Sequence, residues 1–143
     1  MSDDDPNSAV PVREGLFAMA EDGTPRLIGG LCAACRRHHF PLLTTCPYCS
    51  AEAVTEALLS ATGSLWGWTA VTTAPPGYRG SVPFGFGIVE LPEGLRVITR
   101  LTEPMPDRLE WGQPMRMVVA PLHLDDEGRS VVTYAFAPAG DRP

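Results

Sequence analysis

No lysine occurs among the 143 residues; all eleven basic side chains are arginine. Schiff-base formation and lysine-base chemistry are therefore excluded. No run approaches the ~18–20 consecutive apolar residues of a membrane-spanning helix. The start, Met1-Ser-Asp-Asp-Asp-Pro-Asn-Ser, is acidic and polar, the opposite of a secretory leader. A cytoplasmic protein is the expectation. Catalytic groupings are missing as well. Ser64, Ser81 and His123 stand in unrelated contexts, with no nucleophile elbow or metalloprotease motif around them. No glycine-rich phosphate loop opens a helix. Glu90 and Glu93 bracket a hairpin, where their expected role is solubility. We therefore assign no catalytic residue and expect no stand-alone enzymatic activity.

Cysteine is scarce, but its placement is informative. The only four stand as Cys32-x2-Cys35 and Cys46-x2-Cys49, with ten residues between the pairs. Each C-x-x-C turns back on itself and presents two thiolates to one point, and the short spacer lets the second turn face the first. Zinc at roughly 2.3 Å from four sulfurs satisfies that geometry. In the cytosol thiols stay reduced, which favours a metal over two disulfides. The expected ion is a structural Zn2+. Four thiolates would also accept iron, and Cys46-Pro47-Tyr48-Cys49 looks rubredoxin-like. A dedicated electron carrier, however, would not need two tryptophans on one barrel strand. A catalytic zinc is disfavoured, because four thiolates leave no open position.

The net charge of −6 is unevenly spread. Residues 1–30 hold six acids against Arg13 and Arg26, residues 31–50 hold Arg36 and Arg37 with no acid, and residues 51–143 hold eleven acids against seven arginines. Only the cysteine segment is basic. A general nucleic-acid binder is positive over its contact surface, because phosphate neutralisation dominates affinity. Arg36, Arg37 and His38-His39 are either a solvated ribbon edge or a contact for an acidic partner or a coenzyme A phosphate.

Along the chain, residues 1–12 lack periodicity and are expected to form a disordered acidic tail. Over 13–51 we expect an N-terminal element followed by the metal ribbon. Asp22-Gly23 between short apolar runs suggests a hairpin there, and a short helix over 13–20 competes with it. Strand-like patterns follow within 52–138. Residues 54–60 are apolar-rich, and 61–63 make a turn or bulge. Residues 64–73 alternate, with Trp66, Trp68 and Ala70 on one face and Leu65, Thr69 and Val71 on the other. The two tryptophans could be barrel core, an apolar docking patch or a base-stacking platform. Residues 74–83 form a Pro- and Gly-rich loop. It is either an ordinary surface loop or a contact loop through Tyr78 and Arg79. Hairpins are expected at 84–101, across Pro92-Glu93-Gly94, and at 115–137, across residues 125–128. Arg96 and Arg100 share a strand face around Ile98. A mainly β chain of this kind closes economically into a five-stranded OB-type barrel, with an SH3-like barrel as the alternative. Residues 139–143 are a tail.

Several stretches carry a resemblance. They are Leu27-Ile-Gly-Gly-Leu-Cys-Ala-Ala-Cys35, Phe40-Pro41, Cys46-Pro-Tyr-Cys49, Gly63-Ser-Leu-Trp-Gly-Trp-Thr-Ala-Val71, Phe86-Gly-Ile-Val-Glu-Leu-Pro-Glu-Gly-Leu-Arg-Val97 and Tyr134-Ala-Phe-Ala-Pro138. Their order resembles the family of small proteins that join a rubredoxin-like zinc ribbon to an OB-fold, long known as a domain of unknown function. The resemblance implies a non-catalytic accessory subunit. Such a subunit docks on a thiolase or thiolase-like lipid-transfer-type enzyme, stabilises it and helps complete its acyl-CoA site. Some relatives are expected to accompany hot-dog-fold enoyl-CoA hydratases instead. On this view Cys32, Cys35, Cys46 and Cys49 hold the metal. Arg36, Arg37, His38, Phe40, Tyr78 and Arg79 are candidate contacts to the partner or its coenzyme A. The position after each C-x-x-C, often Gly in such knuckles, is Arg36 and Ser50 here, which predicts slight strain. The rival classes are a single-stranded nucleic-acid binder and a small iron redox carrier.

Overall fold

The computed structural model describes residues 9–11 and 15–139. Among them the only helical element is a single 3-10 turn, Pro106–Arg108; the rest of the regular structure is strand. No helix of the described residues is long and apolar enough to cross a membrane.

The first sheet belongs to the ribbon. Strand β2 (Phe17–Met19) pairs antiparallel with β3 (Pro25–Cys32), so the hairpin forms rather than the competing helix. Its turn is closed by Asp22, whose Oδ1 accepts from the Thr24 backbone N–H at 3.0 Å, and by Gly23 at φ 87°. Strand β3 also pairs with the two-residue β4 (His38–His39) and with β5 (Val54–Leu58). The Gly29-Gly30 pair makes this crossing feasible. A Cβ on Gly29 would lie 2.5 Å from the His39 carbonyl oxygen, and one on Gly30 2.5 Å from His39 Nε2.

The second sheet is the barrel. Strands β6 (Thr62–Val71), β7 (Phe84–Glu90) and β8 (Arg96–Leu101) form an antiparallel meander. The chain then crosses through 102–113 to β9 (Pro114–Leu124), which pairs antiparallel with β10 (Ser130–Pro138). Strand β10 runs parallel to β8, and β9 returns to β6 at Thr62↔Arg116, which closes the five strands. This order, meander then crossover with one parallel pair, is the Greek-key closure of an OB barrel. Alternation sets the core. On β8, Val97, Thr99 and Leu101 are buried, whereas Arg96, Ile98 and Arg100 face out. Leu65, Val89, Leu91, Met115, Met117 and Phe136 fill the interior. Leu27 of β3 and Leu59, both fully buried, join the same cluster, so ribbon and barrel share one core.

Four expectations need correction. Residues 9–11 are not irregular: β1 (Ala9–Pro11) pairs parallel with β10. The remainder of the expected tail, residues 1–8 and 12, lies outside the described residues. The segment 54–60 does not open the barrel, because β5 is bonded to β3; the barrel begins at Thr62, and 61–63 is no turn. Trp66 and Trp68 do not share a face. Leu65 pairs with Val89 and Gly67 with Ile88, so Trp66-Gly67 is a bulge that inverts the alternation. Trp66 is left exposed, while Trp68 packs against the core and donates its Nε1–H to the Pro106 carbonyl at 2.9 Å. A base-stacking platform built from both rings is thereby lost. Finally, Glu93 is no mere solubilising group. Its Oε2 accepts from the Ser60 N–H at 2.8 Å and Oγ at 3.1 Å, tying the β7–β8 turn to the ribbon–barrel junction.

Candidate metal centre

Two matching knuckles build the site. Cys32 ends β3, and its carbonyl accepts from the Arg36 N–H at 2.7 Å; the Cys46 carbonyl likewise accepts from the Ser50 N–H at 3.0 Å. Both turns need a left-handed residue at the fifth position, and Arg36 (φ 65°) and Ser50 (φ 69°) supply it. The strain expected from the missing glycines is therefore located in the backbone. The Cys46 Sγ accepts from the Tyr48 N–H at 3.4 Å, as a thiolate would.

The sulfurs converge. Cys32 and Cys49 lie 3.7 Å apart, Cys35 and Cys46 also 3.7 Å, and all four fall within 4.8 Å of one another. A tetrahedral ion with four sulfurs at about 2.3 Å has sulfur–sulfur edges of about 3.8 Å. The donor set thus fits a tetrahedral, thiophilic metal ion. Without it the four thiols ionise unequally. Burial opposes ionisation of Cys46, but the N–H groups of Cys49 and Tyr48 and the neighbouring thiols outweigh it and lower its pKa to about 6. The Ala51 N–H favours the Cys49 thiolate, yet burial and the other three thiols prevail and raise it to about 11. A bound cation would ionise all four. Four protein sulfurs leave no coordination position for a substrate, so the metal shapes the ribbon rather than performing chemistry.

The histidines stay outside this cluster. His39 is buried with neither ring nitrogen hydrogen-bonded, and burial lowers its pKa. Arg36 and Arg37 are exposed, and His38 is half-buried. The Arg37 guanidinium lies 3.8 Å over the Tyr48 ring, whose hydroxyl donates to the His38 carbonyl at 2.9 Å. These three residues therefore form one basic edge beside the knuckles.

The remaining candidates lie elsewhere. Phe40 is half-buried between ribbon and barrel, edge-on to Tyr134 at 5.5 Å. Tyr78 and Arg79 brace the 74–83 loop. Tyr78 Oη donates to the Ser81 carbonyl at 2.8 Å, and Arg79 reaches the Leu124 carbonyl and Asp126 at the β9–β10 turn. Sequence reasoning missed how the β8 arginines are held. Arg96 lies 4.1 Å over Trp66 and pairs with Glu90 at 3.4 Å, and Arg100 lies 4.2 Å over Phe84. Alternation along β8 put both on one face; nothing local to the strand indicated which rings would meet them.

Known proteins share this design. Residues 22–55 match the rubredoxin-like zinc ribbon domain of ChsH2, and 56–120 match the ChsH2 C-terminal OB-fold domain. A DUF35 domain-containing scaffold protein of Pyrococcus furiosus is 32% identical over 79% of this chain and 83% of its own length. The benzoylsuccinyl-CoA thiolase subunit BbsA of Thauera aromatica is 29% identical over 85% of this chain and 82% of its own. A solved structure of the Ltp2-ChsH2(DUF35) aldolase superposes with a TM-score of 0.61 at 28% identity, covering 80% of this chain and 86% of that one. The chain belongs to the ChsH2-type DUF35 family, in which a rubredoxin-like zinc ribbon precedes an OB-fold.

Proposed function

We propose that this chain is a non-catalytic accessory subunit of a thiolase-like acyl-CoA enzyme. It docks on that enzyme, stabilises it and helps complete the acyl-CoA site. One observation carries the reading: near-full-length similarity to a protein named as a thiolase subunit and to the ChsH2 component named in an aldolase. The chemistry agrees, since all four cysteines are drawn to one metal point and none is free to act as an acyl-accepting nucleophile. The catalytic groups would belong to the partner.

In this reading the ion is zinc and the complex is cytoplasmic. The basic edge of Arg36, Arg37 and His38 meets acidic groups of the partner or the phosphates of its coenzyme A. Arginine's forked donors suit paired oxygens. Phe40 and the braced Tyr78-Arg79 loop add contact area, and a rigid loop loses little entropy on docking. The test is co-purification: a tag on this chain in its native host should recover a thiolase-like protein, identified by peptide mass, with one zinc per chain. Recovery of the chain alone, or with nucleic acid only, overturns the reading. A red protein as purified replaces zinc with iron.

A further inference from the structure

Arg100, on β8, is a half-buried barrel arginine. Arg79, Arg96 and Arg129 each have a carboxylate within ion-pair reach; Arg100, like Arg108 and Arg116, has none among the described residues. It is nevertheless held firmly. Its guanidinium lies over the Phe84 ring at 4.2 Å, and Nη1 donates to Tyr78 Oη at 3.1 Å. Tyr78 is itself fixed by its bond to Ser81, and Gly80 has backbone so close to the Tyr78 ring and the Leu122 carbonyl that no side chain fits there. The supports of the guanidinium are therefore rigid. Only one of its five N–H donors has a hydrogen-bond partner, which leaves a stacked, oriented cation with capacity to spare.

That cation lines a cleft of about 320 Å³. The cleft exists because β8 and β10 pair over only two residues, Arg100↔Ala135 and Leu101↔Phe136, before they diverge. Its walls join an apolar side (Pro83, Phe84, Ala120, Pro121, Ala135) to a polar side of nearly equal extent that includes Ser81, Thr102 and Arg100. The volume lies at the small end of ligand sites, which pair apolar walls with a few placed polar groups. Its mouth adjoins the loop between the first two barrel strands, one of the loops from which OB barrels bind ligands.

From this arrangement we infer that the cleft binds a small organic carboxylate, the carboxylate paired with Arg100 and a short apolar body seated against Phe84, Ala120 and Pro121. An inorganic anion would leave the apolar walls empty, and a neutral molecule would leave the guanidinium unused. The site is separate from the metal ribbon but borders the 74–83 loop given above to partner contact, so it is tested on the chain without a partner.

Titration of the isotope-labelled, metal-loaded full chain with benzoate, followed by amide NMR, tests this. Saturable shifts are expected at Gly85, Thr102, Ala120 and Ala135. Benzyl alcohol should bind more weakly by about tenfold or more, the worth of a charge-assisted hydrogen bond. Arg100→Gln should weaken benzoate to the same degree. Ala120→Phe, which fills the cleft without touching charge, should abolish the shifts and carries the test if Arg100→Gln fails to fold. No saturable shift, shifts centred on Arg36 and Arg37, an Arg100→Gln variant that binds as the parent does, or inorganic phosphate saturating the same amides equally well would each overturn the inference.

Discussion

Arg36 sits at φ 65° where the chain turns back from the knuckle and brings the Arg37 carbonyl to 3.1 Å from the Cys32 N–H. For a residue with a Cβ, the left-handed region costs roughly 1–2 kcal/mol. Glycine escapes that cost but gives up about 0.5–1 kcal/mol of chain entropy on folding. At an ordinary position, Ala→Gly therefore destabilises. At Arg36 the sign should reverse, with Arg36→Gly more stable than Arg36→Ala by about 0.5–1 kcal/mol. Comparing these two variants, rather than either with the parent, removes the lost guanidinium from the difference. Metal binding and ribbon folding are coupled, so the same gain should appear as about two- to fivefold tighter metal binding. Competition with a chromophoric chelator at fixed pH reads the affinity, and urea midpoints of the metal-loaded proteins read the stability. Equal values for the two variants, or a glycine variant weaker by about 0.5 kcal/mol or more, would refute strain at this position.

Other outcomes follow from the same structure. Leu27→Ala removes a fully buried side chain shared by ribbon and barrel; it should cost about 2–5 kcal/mol by urea unfolding. Cys46→Ser should bring the metal content of the purified chain well below one ion and abolish partner co-purification, while the barrel amides keep their NMR dispersion. A variant that retains full partner binding would separate the metal from docking. His39 titrates with the opposite sign to a salt-bridged histidine. Burial lowers its folded pKa, so the unfolded chain binds the proton more readily. Its contribution to stability is complete above the unfolded value of about 6.5 and is lost as pH falls below it. His39→Phe should therefore unfold less steeply than the parent between pH 6.5 and the folded-state pKa, measured by urea midpoint against pH with metal loading held constant.

The metal centre was legible in the chain because a C-x-x-C pair constrains geometry locally. Two sulfurs three residues apart can face one point with little help from distant residues. The Arg36 and Ser50 strain was legible for the same reason. Hairpins at Pro92-Glu93-Gly94 and at 125–128 were marked by glycines that take positive φ, 96° at Gly94 and 80° at Gly128. What escaped were long-range pairings. Residues 54–58 carry a strand pattern that fits either sheet, and only bonding to β3 assigned them to the ribbon. The Trp66-Gly67 bulge is invisible in an alternating string, since it exists only relative to the register of β7. Glu93 likewise meets Ser60 across 33 residues.

Composition and spacing alone determined a lysine-free, mainly β chain with one four-thiolate metal ribbon. These properties depend on residue identity and short-range geometry. Tertiary structure decided which strands close the barrel, which tryptophan is buried and where Arg100 stands. Those depend on backbone hydrogen bonds between segments far apart in sequence, where a one-residue shift of register exchanges the inner and outer faces of a strand.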